Sequence, residues 1–154
     1  MSFVAALAVA ETLEHYVPKD VISLKWPNDV LLGGLKTSGI LLESGQTHHQ
    51  KWMVIGIGLN LTHHPEGTEF PATHMLAHIL PDNLSGPEPI MTGAEVALAI
   101  LANRFDHWRH VLLSKGFEPI GEAWTARARN VPGPVTVRLP NETFQGEALG
   151  LDSN

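Results

Sequence analysis

Five consecutive residues, Lys25-Trp26-Pro27-Asn28-Asp29, bring together a cation, an aromatic ring, a rigid turn, an amide and a carboxylate. Proline fixes its own φ, so the neighbouring polar groups project from a stiff support, and Trp26 is expected to pack against the sheet. A lysine offers a point charge to a phosphate or carboxylate, and an aspartate can hold Mg²⁺ directly or through water. The same residues also make an ordinary strand-to-turn transition, with Asn-Asp as the turn. Lys36 follows the Gly33-Gly34 turn and precedes Gly39, and a glycine beside a strand lets a ligand approach the backbone. Alone, Lys36 reads as a solvated hairpin lysine. A third segment, Gly56-Ile57-Gly58-Leu59-Asn60, closes an apolar strand. Its glycines mark a bulge or a close backbone contact, but it lacks the third glycine and helix start of a dinucleotide fingerprint. The Asn60 amide both donates and accepts, which suits a base edge.

The elements that carry these residues are legible in the hydrophobic pattern. Val4, Leu7, Ala8 and Leu13 recur at helical spacing, so residues 2–16 are predicted to form a helix with one buried face, ended by Pro18. Strands are expected over 21–26, 30–32, 35–43 and 52–61, the middle two joined as a hairpin at Gly33-Gly34. Residues 62–91 form a long excursion rich in Pro, His and Gly, with one short helix near 73–80. Residues 93–115 carry Val96, Ile100, Leu101, Phe105, Trp108 and Leu112 on one stripe, and Gly116 closes that helix. A second helix is expected over 119–129, anchored by Trp124. Val131-Pro132-Gly133-Pro134 then reads as a domain boundary, followed by strands over 135–139 and 143–149 joined at Pro140-Asn141. Four strand-like segments in succession favour an antiparallel or mixed sheet over alternating βαβ units. The domains expected are 1–131 and 132–154. A core-facing helix at the first residues predicts that sequence precedes Met1. Two strands alone are marginal in water, so the last unit is expected to be a domain cut short.

The chain has 154 residues, ten basic and sixteen acidic, with a formal charge of −6 and no cysteine. Nucleic-acid surfaces need clustered Lys and Arg, so a broad one is not expected, although a locally basic nucleotide pocket is compatible with this balance. Cysteine-based metal sites, disulfides and thiol catalysis are excluded. The apolar opening lacks the positive segment of a signal peptide, and no apolar run approaches the length needed to span a bilayer. A cytoplasmic location is expected.

In order, spacing and strand context, the three segments together resemble the biotin–protein ligase family, and the resemblance extends over essentially the whole chain. It includes the leading helix, the stretch from His63 to Thr73 and the segment Val137-Arg138-Leu139-Pro140. The resemblance implies an α/β (α+β) fold of the class II synthetase and biotin-ligase type, with a mixed, largely antiparallel sheet flanked by helices and a truncated SH3-like β-barrel at the C-terminus. It implies that Lys36 is the catalytic lysine at the biotin carboxylate and α-phosphate. Lys25 matches a phosphate-side lysine, Asn28 and Asp29 the ATP and Mg²⁺ region, and Asn60 the residue that reads adenine. Gly39 and Gly58 line the biotin and adenylate pocket. The reaction implied activates biotin with ATP to biotinyl-5'-AMP and transfers it to a lysine of a carrier. The partner is the biotin carboxyl carrier domain of acetyl-CoA carboxylase, and a homodimer is compatible. The family also has a Gly/Arg-rich loop and further strands upstream of the matched region, which this chain lacks. Poor ligation by the chain alone is therefore expected.

Two other readings remain: a lipoate–protein ligase-type adenylating enzyme, and a non-catalytic module that docks carrier or oligomerises through a sheet edge. A biotin-sensing regulator would need an upstream DNA-binding domain. The nine histidines are read as solvated, because the adjacent pairs His48-His49 and His63-His64 do not naturally converge and His107 and His110 lack carboxylate partners. Asp106 beside His107 is read as helix surface.

Overall fold

The computed structural model describes residues 1–80, 84, 93–139 and 141–152. Its first element, α1 (Ser2–Leu13), buries residues on nearly every side, from Val4 through Ala10 together with Thr12 and Leu13. A helix that is apolar all round belongs inside a protein. Here α1 lies against the sheet on one side and two later helices on the other. The expectation of a single buried face is corrected, because Ala5, Ala6 and Ala10 lie between the stripe positions and are buried as well. The helix also stops at Leu13, short of residue 16. The amides of Tyr16 and Val17 turn back onto the Leu13 carbonyl before Pro18.

The sheet contains β1 (Ile22–Lys25), β2 (Asp29–Leu32), β3 (Leu35–Gln46) and β4 (Lys51–Leu59), in the spatial order β1-β2-β3-β4. All three pairings are antiparallel, and among the described residues parallel contacts are confined to the isolated bridges Leu24↔Ala128 and Lys36↔Ala72. Gly33 and Gly34 take φ of 56° and 82°, the left-handed values that a two-residue hairpin turn requires. A Cβ on Gly34 would also lie 2.7 Å from Nη1 of Arg129. The core beneath the sheet is built from α1, Leu24, Val30, Leu32, Ile40, Met75, Ile120 and Trp124.

Two helices follow, α2 (Ala94–Lys115) and α3 (Glu118–Thr125). The expected stripe on α2 is half-buried: Ile100, Leu101, Phe105, Trp108 and Leu112 pack on the core, while Ala97 is its buried residue. Gly116, at φ 79°, closes it. The second helix is shorter than the 119–129 predicted, because the chain turns at Ala126 and pairs with β1. Leu24 N–H donates to the Arg127 carbonyl and Arg129 N–H to the Leu24 carbonyl. Trp124 is buried as expected. The short helix near 73–80 is a single 3-10 turn, Met75–His78, and part of the excursion lies outside the described residues. Beyond the cis Val131-Pro132 bond, β5 (Gly133–Arg138) and β6 (Thr143–Ala148) form a two-stranded antiparallel sheet. The predicted strand pair is present, whereas the described residues close no barrel. Among them, no helix is long and apolar enough to cross a membrane.

Candidate functional site

Lys25 and Asp29 face each other as the last cross-strand pair of β1 and β2, so the tight turn between them fixes their separation. Asp29 is only 8% exposed. Its Oδ2 lies 3.9 Å from Lys25 Nζ and its Oδ1 lies 2.5 Å from Lys36 Nζ. The buried Oδ1 thus has the Lys36 ammonium group as its ionic partner. One carboxylate therefore gathers two ammonium groups and leaves one of their charges unmatched.

Lys36 reaches this position through an irregularity in β3. Leu31 pairs with Lys36 and Val30 with Ser38, so Thr37 is the extra residue of a bulge. Bulges re-aim side chains, and here the Lys36 amine comes over Gly39. A Cβ at Gly39 would lie 3.3 Å from both Cε and Nζ of Lys36. Gly39 is also the direct partner of Gly58 across β3 and β4. Two facing glycines leave a strip of sheet with no side chain, on which a flat ligand can lie against the backbone.

The excursion after β4 folds back onto the same strand. Lys36 N–H donates to the Pro71 carbonyl at 3.0 Å, and Thr73 N–H donates to the Lys36 carbonyl at 2.8 Å. Asn60 N–H bonds the Thr37 carbonyl, and Asn60 Nδ2 donates to the Thr73 carbonyl at 2.9 Å. The Asn60 amide is thus held in one orientation, with Oδ1 left as an acceptor. Asn28 is committed differently: its Nδ2 donates to the Ile40 carbonyl at 2.7 Å, while its own carbonyl accepts from Ile40 N–H. It braces the turn against β3.

Two adjoining clefts result. The smaller, about 370 Å³, is lined by Lys36, Gly39, Gly58, Asn60, Glu69 and Phe70, among others. Lys36 and Asn60 thus share one cleft. The larger, about 1040 Å³, takes in Lys25, Asn28, Asp29, Lys36, Phe70, Arg129 and Arg138. Among the described residues four cations line it against one carboxylate, although the whole chain is acidic. Lys36 and Phe70 belong to both. Trp26 departs from expectation: 57% exposed, it lines the larger cleft instead of packing into the sheet. Thr73, Phe70 and Arg129 were not singled out from the sequence, because nothing local in the excursion reports that it returns to β3.

His15, His48, His49, His63, His107 and His110 are exposed, in line with the expected solvated surface, whereas His64, His74 and His78 are half-buried and partnered. His64 Nδ1 and His74 Nδ1 are 2.8 Å apart, and the His63 and His64 rings both stack on His74. His78 Nε2 meets Thr73 Oγ1 at 2.9 Å. Among the described residues no three His, Cys, Asp or Glu are placed to hold a metal ion. Burial first, and then the nearby His64, His63 and His78, hold the His74 imidazole below its usual range. Such a group binds fewer protons folded than unfolded. Its contribution to stability is present above the ordinary value of 6.5 and is lost as pH falls through the lowered one. Acidification from about pH 7.5 to 5.5 is therefore expected to loosen the returning segment. Hydrogen-exchange protection of the Asn60 and Thr73 amides should fall, and His74→Ser should flatten that dependence; an unchanged dependence would remove His74 from the account.

Residues 2–60 match the model of the Biotin/lipoate A/B protein ligase family. A curated relative, biotin–[acetyl-CoA-carboxylase] ligase from Paracoccus denitrificans, is 36% identical over 100% of this chain and 63% of its own length. The bifunctional ligase/repressor BirA of Bacillus subtilis is 30% identical over 99% of this chain and 45% of its own. Among solved structures, an arginine-to-glycine variant of Aquifex aeolicus biotin protein ligase in complex with biotin superposes with a TM-score of 0.75. It is 25% identical, covering 99% of this chain and 60% of that one. The chain thus spans under two thirds of each of these relatives.

Proposed function

We propose that this chain carries the acid-activating site of a biotin–protein ligase, which forms biotinyl-5'-AMP from biotin and ATP and transfers the biotinyl group to a carrier lysine. The observation that carries the reading is the common cleft of Lys36, Gly39, Gly58 and Asn60, opening beside Lys25 and Asp29. The names of the relatives from Paracoccus and Aquifex agree with it.

In the first half-reaction a carboxylate oxygen of biotin attacks the α-phosphorus of ATP, the bond to the bridging oxygen breaks, and pyrophosphate leaves. Two anions must meet. Lys36, at the junction of both clefts, offsets their repulsion and stabilises charge on the α-phosphoryl oxygens, with Lys25 on the pyrophosphate side. Asp29 keeps both ammonium groups in place. Gly39 and Gly58 give the acid and the adenylate a bare backbone floor, and Asn60 Oδ1 accepts from the exocyclic amine of adenine. Asn28 contributes by holding the turn. In the second half-reaction a neutral carrier ε-amine attacks the anhydride carbonyl, AMP leaves, and the amine gives up a proton as the amide forms. The partly enclosed site slows attack by water in the interval.

Mg²⁺ fits as a companion of ATP: Asp29 is the carboxylate that lines the larger cleft, where the phosphates would lie, and such ions complete their shell with phosphate oxygens and water. When bound, the ion would neutralise phosphate charge. The partner proposed is the biotin carboxyl carrier domain of acetyl-CoA carboxylase. The half of β3 and β4 away from the site exposes Leu41, Trp52, Met53 and Val54, which suits carrier docking or a homodimer. A cytoplasmic location follows from the ATP and carrier that the reaction needs.

Calorimetry with a stable biotinyl-adenylate analogue, against its lipoyl counterpart, tests the reading. Tighter binding of the biotinyl compound supports it; a preference for lipoyl, or no binding, overturns it. Asn60→Ala is expected to weaken ATP about tenfold, the loss of one hydrogen bond in a partly enclosed site, with biotin unchanged. Equal weakening of both ligands would remove adenine recognition from Asn60.

A further inference from the structure

Arg138, the last residue of β5, lines the larger cleft but has no part in the chemistry above. Its Nη1 donates to Glu69 Oε1 at 2.8 Å, and its guanidinium carbon lies 5.6 Å from the centroid of the Phe70 ring. Lys25 Nζ lies 4.1 Å from the same centroid. Arg138 and Lys25 therefore sit within one Debye length of each other, about 10 Å at 0.1 M salt, with the Phe70 ring as a shared neighbour. Like charges held that close favour an anion that touches both.

Glu69 does not settle Arg138. The two side chains are 74% and 59% exposed, and an exposed pair of this kind contributes little. A phosphate group offers a planar guanidinium two oxygens at once and more charge than one carboxylate. The smaller cleft ends at Lys36 and Phe70, which it shares with the larger one. An adenosine seated near Asn60 with its α-phosphate at Lys36 therefore directs the remaining phosphates into the larger cleft, toward Lys25 and Arg138.

We propose that Arg138 binds the terminal phosphates of a nucleoside triphosphate, exchanging its resting partner Glu69 for phosphate oxygens. The proposal rests on the ligase reading and adds a residue of the β5–β6 hairpin to it. Phe70, in contact range of both cations, marks the stretch of the cleft where these phosphates would lie.

Titration calorimetry of the whole chain with ATP, AMP and inorganic tripolyphosphate tests this, with circular dichroism to verify folding. Arg138→Ala should weaken ATP and tripolyphosphate about fivefold, the upper range for an exposed charge contact, and leave AMP unchanged. Arg138→Lys, which keeps the charge but not the two-pronged contact, should recover only part of the loss, and Glu69→Gln should tighten ATP about twofold by removing the competing carboxylate. The proposal is overturned if Arg138→Ala leaves ATP unaltered, if it weakens AMP equally, or if Glu69→Gln weakens ATP. Wild-type protein that binds the biotinyl-adenylate analogue but holds ATP no tighter than AMP would overturn this inference and leave the ligase reading standing. Binding of neither analogue nor nucleotide would overturn both.

Discussion

Replacing Lys36 by alanine is expected to lower biotinyl-adenylate formation by about 10²–10³-fold, the range for removing one preorganised group that stabilises transition-state charge. The reasoning is electrostatic. Among the described residues Lys36 is the one cation that lines both clefts, so its ammonium group stands where a carboxylate and an α-phosphate would converge. Its removal also leaves the buried Asp29 Oδ1 without its ammonium partner and facing the approaching anions, so repulsion replaces attraction. The fold should persist, because Lys36 is part-exposed and its structural bonds to Pro71 and Thr73 run through its backbone. Lys36→Arg should recover little, since a planar fork cannot occupy the space of an ammonium group packed over Gly39. The measurement is biotin-dependent exchange of pyrophosphate into ATP, paired with titration of the biotinyl-adenylate analogue. An exchange rate preserved in a folded Lys36→Ala protein would end the role assigned to this residue.

Leu24→Ala should have the largest effect on stability. Leu24 is wholly buried in β1 and belongs to the core that joins α1, the sheet and α3. Truncating such a leucine costs about 3–4 kcal/mol, as lost transfer free energy plus the cavity left behind. In a domain of this size that corresponds to a fall in Tm of about 10 °C. The cost is expected at the upper end because the backbone of Leu24 is pinned on both sides, by Arg127 and Arg129 as well as β2, so the strand cannot collapse into the void. Scanning calorimetry or denaturant titration would measure it. A loss below about 1 kcal/mol would mean that the core relaxes freely around β1. Lys25 adjoins Leu24, so a shift of the strand would also be read in ATP affinity.

The sequence by itself determined the local elements and the residues with chemical potential. Periodicity placed the strands and the long helix α2, Gly33-Gly34 specified the hairpin, and the motifs around Lys25, Lys36 and Gly58 marked where a ligand could approach. Those signals are short-range: they depend on the side-chain period, on φ at glycine and proline, and on residue types a few positions apart.

Only the tertiary structure decided how the motifs meet. The bulge at Thr37 depends on how β2 and β3 are registered, and the side of the strand that Lys36 faces depends on that bulge. Asn60 is oriented by Thr73, thirteen residues away, through a segment whose composition reads as loop. The all-round burial of α1 required knowing that helices and sheet cover it from opposite sides, since a single-face stripe and a fully enclosed helix share the same apolar positions. His64 and His74, and likewise Glu69 and Arg138, are brought together by chain reversals that no local pattern encodes. Pairings of this kind are set by which surfaces the whole chain can bury at once, a property of the assembled core that no short stretch of residues carries alone.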